Sequence, residues 1–359
     1  MQLLLKEIQH NRLLWLLLVV PVPFVVHALQ PASHTLLFVL SILAIVPLAA
    51  LLSLATEQVA ARTGDTIGGL LNATLGNLTE LLIALAALRA GEYLLVKASL
   101  AGAIVTNTLF MTGMSFFLGG LRHHVQQFNS SSTRMQVGLL FLAAFGLMIP
   151  SMLAVTDSHV LPQSLSLAIS LILLATYALS LVFTLGTHRK YFSAEAHEHE
   201  GLAWPLPIAV ATLLGTTLVV ALVSEVFVES LTGASAELGL SSAFVGFIVV
   251  ATVGAAAEMM AAFSAARKNR LDLSLGISFG SSAQIALFVV PVLVLLSYAV
   301  GPAPMSLQFW PGAVVMILVA TTASALISVK GQSAWFIGLL MLMIYAVFAA
   351  TLYVIPPAH

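Results

Sequence analysis

The sequence predicts an all-α polytopic membrane protein of about eleven transmembrane helices, one leading helix followed by two inverted five-helix repeats. Three observations predict it. Of the 359 residues, 60% are hydrophobic and only 8% charged, with a mean hydropathy of +1.06, whereas a soluble domain carries about a quarter charged residues. Apolar runs of the roughly 17–25 residues needed to cross a bilayer can be placed eleven times. Two of those runs hold a mid-span glutamate, Glu80 and Glu258, in matching surroundings 178 residues apart. An ionisable group at that depth is expensive and marks a functional site by default.

The segment 1–34 contains the first run, 13–29, behind Lys6 and Arg12. No small-residue cleavage site follows it, so it reads as a helix rather than a signal peptide. The first repeat, 35–185, contains the runs 35–55, 66–88, 94–120, 135–155 and 162–185. A loop at 186–204, rich in His and Glu, leads to the second repeat, 205–359, with runs at 205–228, 243–265, 273–299, 308–328 and 333–355. Short turns of Gly, Pro, Ser and charged residues separate the runs.

Orientation follows from Lys and Arg, which concentrate in cytoplasmic loops. With the N-terminus inside, the inner loops receive Lys6, Arg12, Arg62, Arg122, Arg134, Arg189, Lys190, Arg267, Lys268, Arg270 and Lys330, and the outer loops only Arg89 and Lys97. The odd number of helices then puts His359 outside. The third run therefore travels outward with Glu80 and the eighth inward with Glu258. Similar motifs of opposite sense are the mark of an inverted-topology repeat with its binding site near the midplane.

Around the carboxylates, Asn72, Gly76 and Glu80 are spaced four apart and share a helix face with Asn77. Gly254, Ala255, Ala261 and Ala262 make a small-residue face beside Glu258, of the kind that lets helices approach closely in lipid. Each motif is followed by a helix carrying an amide, Asn107 at 27 residues after Glu80 and Gln284 at 26 after Glu258. Ser99, Gly102 and Thr106 accompany the first amide; Gly276, Gly280 and Ser281, with Ser278 and Ser282, accompany the second. Carboxylates, amides and the backbone carbonyls of helices broken near Gly76 and Gly254 are oxygen ligands. They suit a hard cation such as Ca²⁺, which takes about 6–8 oxygens. The absence of cysteine and of mid-span histidine argues against a softer metal. The net charge of −1 gives no reason to expect nucleic acid.

Glu57 through Leu88, EQVAARTGDTIGGLLNATLGNLTELLIALAAL, resembles the first conserved repeat of the calcium/proton exchangers (CAX) of the cation/calcium antiporter superfamily. The stretch Phe244 through Ser297, containing GAAAEMMAAFSAARKNRLDLSLGISFGSSAQIALFVVPVLVLLS, resembles the second. The resemblance implies an eleven-helix fold in the cytoplasmic membrane of a prokaryote, with Glu80 and Glu258 binding the exchanged cation. Asn77, Asn107, Ser281 and Gln284 are then supporting ligands or helix-break residues, together with Gly76 and Gly254. One departure stands out: where the family's second motif reads GNxxE, Ala255 replaces the Asn, so one amide is missing.

Two ionised glutamates carry a charge of −2, which one Ca²⁺ or two protons neutralise. An empty, doubly charged site is costly in a low dielectric. Loaded forms therefore cross between inward- and outward-facing states and the empty form does not, which is antiport. The expected function is Ca²⁺/H⁺ exchange exporting Ca²⁺ from the cytoplasm, without any cofactor. Alternatives are Na⁺-coupled Ca²⁺ exchange, monovalent cation/H⁺ antiport and, fitting less well, a passive channel. Glu57, at the inner end of the second run, and Glu225 and Glu229, toward the outer end of the seventh, read either as cation or proton access groups at opposite mouths or as solvated caps. The loop acids Glu195, Glu198 and Glu200 with His188, His197 and His199 read as a weak cation-capture or pH-sensing segment, or simply as a solvated loop. His123, His124 and His159 read as inert loop residues. Gly276-Ile277-Ser278-Phe279-Gly280 matches the nucleophile elbow GxSxG, but no acid follows it and only His359 remains, so an enzyme is not expected.

Overall fold

Pro21 divides the leading run. A 3₁₀ turn over Arg12–Val19 gives way to helix α1, Pro21–Leu29, because a proline has no N–H to donate within a helix yet fits its first turn. The computed structural model describes residues 12–156, 163–187 and 204–357. Lys6, His159, the whole His/Glu segment from His188 to Glu200, and His359 lie outside them.

Helix α2 spans His34–Arg62. The first motif run is two helices, α3 (Asp65–Leu75) and α4 (Leu78–Arg89). Then come α5 (Tyr93–His123), α6 (Ser130–Thr156) and α7 (Gln163–Thr187). Helix α8 covers Leu206–Leu238. The second motif run is again two helices, α9 (Ser242–Gly254) and α10 (Ala256–Arg267), and is followed by α11 (Leu271–Val300). The chain ends with α12 (Pro311–Ile327) and α13 (Trp335–Val354). Among the described residues, seven helices are long and apolar enough to cross a membrane, or nine if each bent pair counts as one span. Two shorter apolar helical stretches, Leu13–Leu29 and Pro311–Ile327, accompany them.

The described residues are nearly all helical, as expected, with one small addition. Strands β1 (Val125–Gln127) and β2 (Gln332–Ala334) pair antiparallel, Gln126 opposite Ser333. They lie at the bundle end that carries the basic loops: Arg134 donates to the Val329 carbonyl at 2.7 Å, and Gln126 to the Ala266 carbonyl at 2.9 Å. Three residues per strand leave too little periodicity to be read from a sequence.

Close helix approach rests on small residues. Helices α2 and α8 lie against one another, with Phe38 stacked on Phe227 at 5.2 Å between ring centroids. Gly102 of α5 meets the backbone of α9: a Cβ there would stand 2.6 Å from the Phe247 carbonyl carbon. Gly113 of α5 and Gly338 of α13 meet in the same way, a Cβ on Gly113 standing 3.0 Å from the Gly338 carbonyl oxygen. Packing of this kind drives helix association in lipid, where burying apolar surface gains little.

Gly102→Leu is accordingly expected to destabilise the protein by more than about 2 kcal/mol, seen as a lowered thermal midpoint in detergent. Gly215→Leu, on the exposed side of α8 with nothing within 4 Å, is the control and is expected to stay within about 0.5 kcal/mol.

Candidate functional site

Both motif runs break where their glycines stand. α3 and α4 meet at a 41° bend and α9 and α10 at 60°. The residues at the bends, Asn77 (φ −99°, ψ 30°) and Ala255 (φ −80°, ψ 4°), leave helical geometry for the bridge region. A break creates a new helix N-terminus with free N–H groups and the positive end of a dipole. Glu80 is the third residue of α4 and Glu258 the third of α10, so each carboxylate sits in the first turn of a half-helix.

The two motifs touch. A Cβ on Gly254 would stand 3.0 Å from Glu80 Cγ and 3.4 Å from its Oε1, so the first carboxylate lies on the break of the second motif helix. Any larger residue there would press on the Glu80 side chain. Glu80 is 8% exposed, and Glu80 and Glu258 are near enough for their charges to interact. Glu80 Oε1, Glu258 Oε2 and Asn107 Oδ1 are buried without any hydrogen-bond partner. Buried polar atoms are normally paired, and three orphaned acceptors in one neighbourhood mark a place for cations or protons.

A chain of side-chain hydrogen bonds runs beside them. Asn107 Nδ2 donates to Ser281 Oγ at 2.9 Å, Ser281 Oγ to Asn77 Oδ1 at 2.6 Å, and Asn77 Nδ2 to Gln284 Oε1 at 2.6 Å. The amide helices carry π turns at this depth, Thr106–Met111 around Asn107 and Ile285–Val289 just after Gln284. Such turns are frequent at functional sites.

A cavity of about 470 Å³ reaches Glu258, Ser281 and Gln284, with Asn72, Gly76 and Gly280 in its wall. Its far side is formed by Glu57, Asn129 and Asp272, at the basic-loop end of the bundle. Glu80 does not line it, which corrects the single face expected for Asn72, Gly76 and Glu80. The bend at Asn77 turns the face, so Asn72 and Gly76 look into the cavity and Glu80 toward Gly254.

The remaining candidates separate. Glu57 lines the cavity. Glu225 lies at the opposite end, paired with Arg89 at 2.6 Å, and Glu229 is 3.7 Å from His27. Glu57 and Glu225 are not in register, since Glu57 stands five residues before the end of α2 and Glu225 thirteen before the end of α8. Ser278 donates to the Ser274 carbonyl at 3.0 Å and is fully buried, a helix serine satisfied by its own backbone. Gln136 and Asp272 line the cavity and were missed from the sequence. Gln136 was legible as a lone amide at the start of an apolar run, whereas Asp272 passes for an ordinary acid in a helix's first turn. Among the described residues no three His, Asp or Glu side chains cluster as a resident metal site.

Comparison with known proteins gives a consistent result. Residues 33–186 and 208–354 match the family described as sodium/calcium exchanger protein. The Ca(2+)/H(+) antiporter of Synechocystis sp. (strain ATCC 27184 / PCC 6803 / Kazusa) is 40% identical over 361 residues, covering 95% of this chain and 96% of its own. The Ca(2+)/H(+) antiporter ChaA of Bacillus subtilis (strain 168) is 37% identical, covering 94% of this chain and 98% of its own. The solved structure of native YfkE aligns with a TM-score of 0.80 at 34% identity, covering 94% of this chain and 97% of its own.

Removing the hydroxyl at the centre of the network tests its structural weight. Ser281→Ala leaves Asn77 Oδ1 and the Asn107 amide unmatched and is expected to lower stability by about 1–3 kcal/mol. Ser278→Ala, which frees only a carbonyl already bonded within its helix, is expected to lower it by less than about 1 kcal/mol. Thermal unfolding in detergent separates the two.

Proposed function

We propose, for a chain that belongs to the sodium/calcium exchanger protein family, a mechanism of Ca²⁺/H⁺ antiport centred on Glu80 and Glu258. The protein is an integral membrane antiporter that exchanges Ca²⁺ for protons. Its direction is export of Ca²⁺ from the cytoplasm, across the inner membrane of a prokaryote.

The observation that carries the mechanism is the pair of orphaned carboxylate oxygens, Glu80 Oε1 and Glu258 Oε2, each on the first turn of a broken helix. Carboxylate oxygens left without a donor in a low dielectric are acceptors for a cation or a proton. Ca²⁺, as the transported substrate, takes these oxygens together with amide, hydroxyl and backbone oxygens from Asn77, Asn107, Ser281, Gln284 and the breaks at Gly76 and Gly254. Protons occupy the same carboxylates on the return. Because the two ligands compete for one site and the empty site is the costly one, movement of one is tied to movement of the other.

Eleven spans in two inverted five-helix repeats, 35–185 and 205–359, account for the arrangement. Supporting it, α4 packs on α8 as α10 packs on α2, and the family match divides at the loop between the repeats. The Lys and Arg bias assigns the cavity end to the cytoplasm, with the N-terminus inside and the C-terminus outside. The conformation is then inward-facing: the cavity leads from Glu57 and Asp272 to Glu258, and at the outer end Arg89 and Glu225 are paired. Neither the geometry of Ser278 nor the remaining cavity chemistry calls for an enzymatic step.

Uptake of ⁴⁵Ca²⁺ into proteoliposomes with an imposed pH gradient tests this, with Na⁺ and K⁺ varied separately. Wild-type uptake is expected to follow the proton gradient and to be indifferent to Na⁺. Glu80→Gln and Glu258→Gln are each expected to reduce it to the level of empty liposomes while the protein stays folded, since a neutral amide replaces a buried charge. Near-normal proton-driven flux in either variant refutes the carboxylate pair.

A further inference from the structure

The two helix breaks are equivalent in position and unequal in chemistry. Asn77 and Ala255 each stand directly after the motif glycine and three residues before the motif glutamate. At the first break, the Asn77 amide donates to Gln284 on α11. The corresponding partners at the second break are residue 255 and Asn107 on α5, and Ala255 has no donor to give. Asn107 is completely buried, spends its own N–H on Ser281, and is left with the orphaned carbonyl oxygen Oδ1. The space around residue 255 is closed by Met111, one turn beyond Asn107, and by Met259 and Ala262. Those neighbours supply no N–H or O–H from their side chains. The second break thus lacks the side-chain donor that the first break has, and Asn107 Oδ1, on the helix that follows the first motif, lacks a partner.

We propose that Ala255 is an affinity-determining residue of this antiporter: by withholding a donor, it keeps Asn107 Oδ1 free as an acceptor for the transported cation. This inference rests on the carboxylate-centred reading given above and concerns one feature of it, the asymmetry of the two breaks. An amide oxygen that already accepts a hydrogen bond from a neighbouring side chain is a poorer cation ligand, because that donor and the cation compete for the same lone pairs. A site in which residue 255 donated would hold Ca²⁺ less tightly. Ala255 acts here through Asn107 and is a positioning residue; it does not itself touch the cargo.

The test is a double-mutant cycle between positions 255 and 107. Ca²⁺ binding is measured by calorimetry on the purified protein, and KM and kcat for Ca²⁺ by proton-driven uptake. Ala255→Asn introduces the donor, and Ala255→Ser introduces a smaller one in case the methionines do not make room for an amide. Either is expected to weaken Ca²⁺ binding and raise KM about three- to tenfold, the ratio equivalent to one neutral hydrogen bond, with kcat within about twofold. In an Asn107→Leu background, which has no oxygen to be masked, the same substitutions are expected to change neither quantity further. Equal effects in both backgrounds, or no effect of either donor on binding by a folded protein, overturn the proposal and leave the antiport reading standing. A wild-type protein that binds no Ca²⁺ overturns both.

Discussion

Two carboxylates in the interior of an apolar bundle are the constraint to which the rest of this structure answers. A charge in such a place has few sources of compensation: a helix terminus, a polar side chain, a cation or a proton. The fold supplies the first by breaking two spans, so that Glu80 and Glu258 each begin a half-helix. It supplies the second only in part. The amides and hydroxyl of Asn107, Ser281, Asn77 and Gln284 bond to one another in a single run, and oxygens of both glutamates remain without donors. A protein built only for stability would pair or remove such groups. Their incompleteness is the property the proposed exchange mechanism uses.

The breaks in turn dictate the packing. A span interrupted by a 41° or 60° bend cannot stack along its neighbours as a straight rod, and its exposed backbone groups must be shielded from lipid by other protein. That shielding needs close approach. Glycines stand at the contacts, Gly254 under the Glu80 side chain and Gly102 against the backbone around Phe247. The small residues near the motifs therefore serve the carboxylates indirectly, by letting two broken helices and the amide helices beside them meet within hydrogen-bonding distance.

Much of this was legible in the sequence because it rests on strong, local signals. Apolar runs give the helices, and a glutamate inside such a run is conspicuous. The repetition of Gly, Glu and amide at near-constant spacing located Glu80, Glu258, Asn107 and Gln284 together. What could not be read depends on angles. The helical count that placed Asn72 and Gly76 on one face with Glu80 holds only for a straight helix, and the bend at Asn77 separates them. The likeness between Glu57 and Glu225 follows from pairing the second and seventh runs as repeat mates, yet the register differs and so do their surroundings, a cavity for one and Arg89 for the other. The strand pair and the lining role of Gln136 are tertiary facts with almost no local signature.

The one-sided cavity and the one-sided hydrogen-bond chain have a common physical root. In the inverted-repeat arrangement proposed above, two identical repeats would have no preference between facing in and facing out, since a two-fold rotation would relate the two states and preserve their contacts. Asn77 tying to Gln284 and Ala255 tying to nothing removes that degeneracy, because a net hydrogen bond is worth about 1 kcal/mol and a gap of that size already shifts a two-state population several-fold. The Arg89–Glu225 pair at one end and the cavity lined by Glu57 at the other add a second inequality. Small inequalities of this kind bias which state rests and leave the transition accessible, while the direction of net exchange is set by the ion gradients.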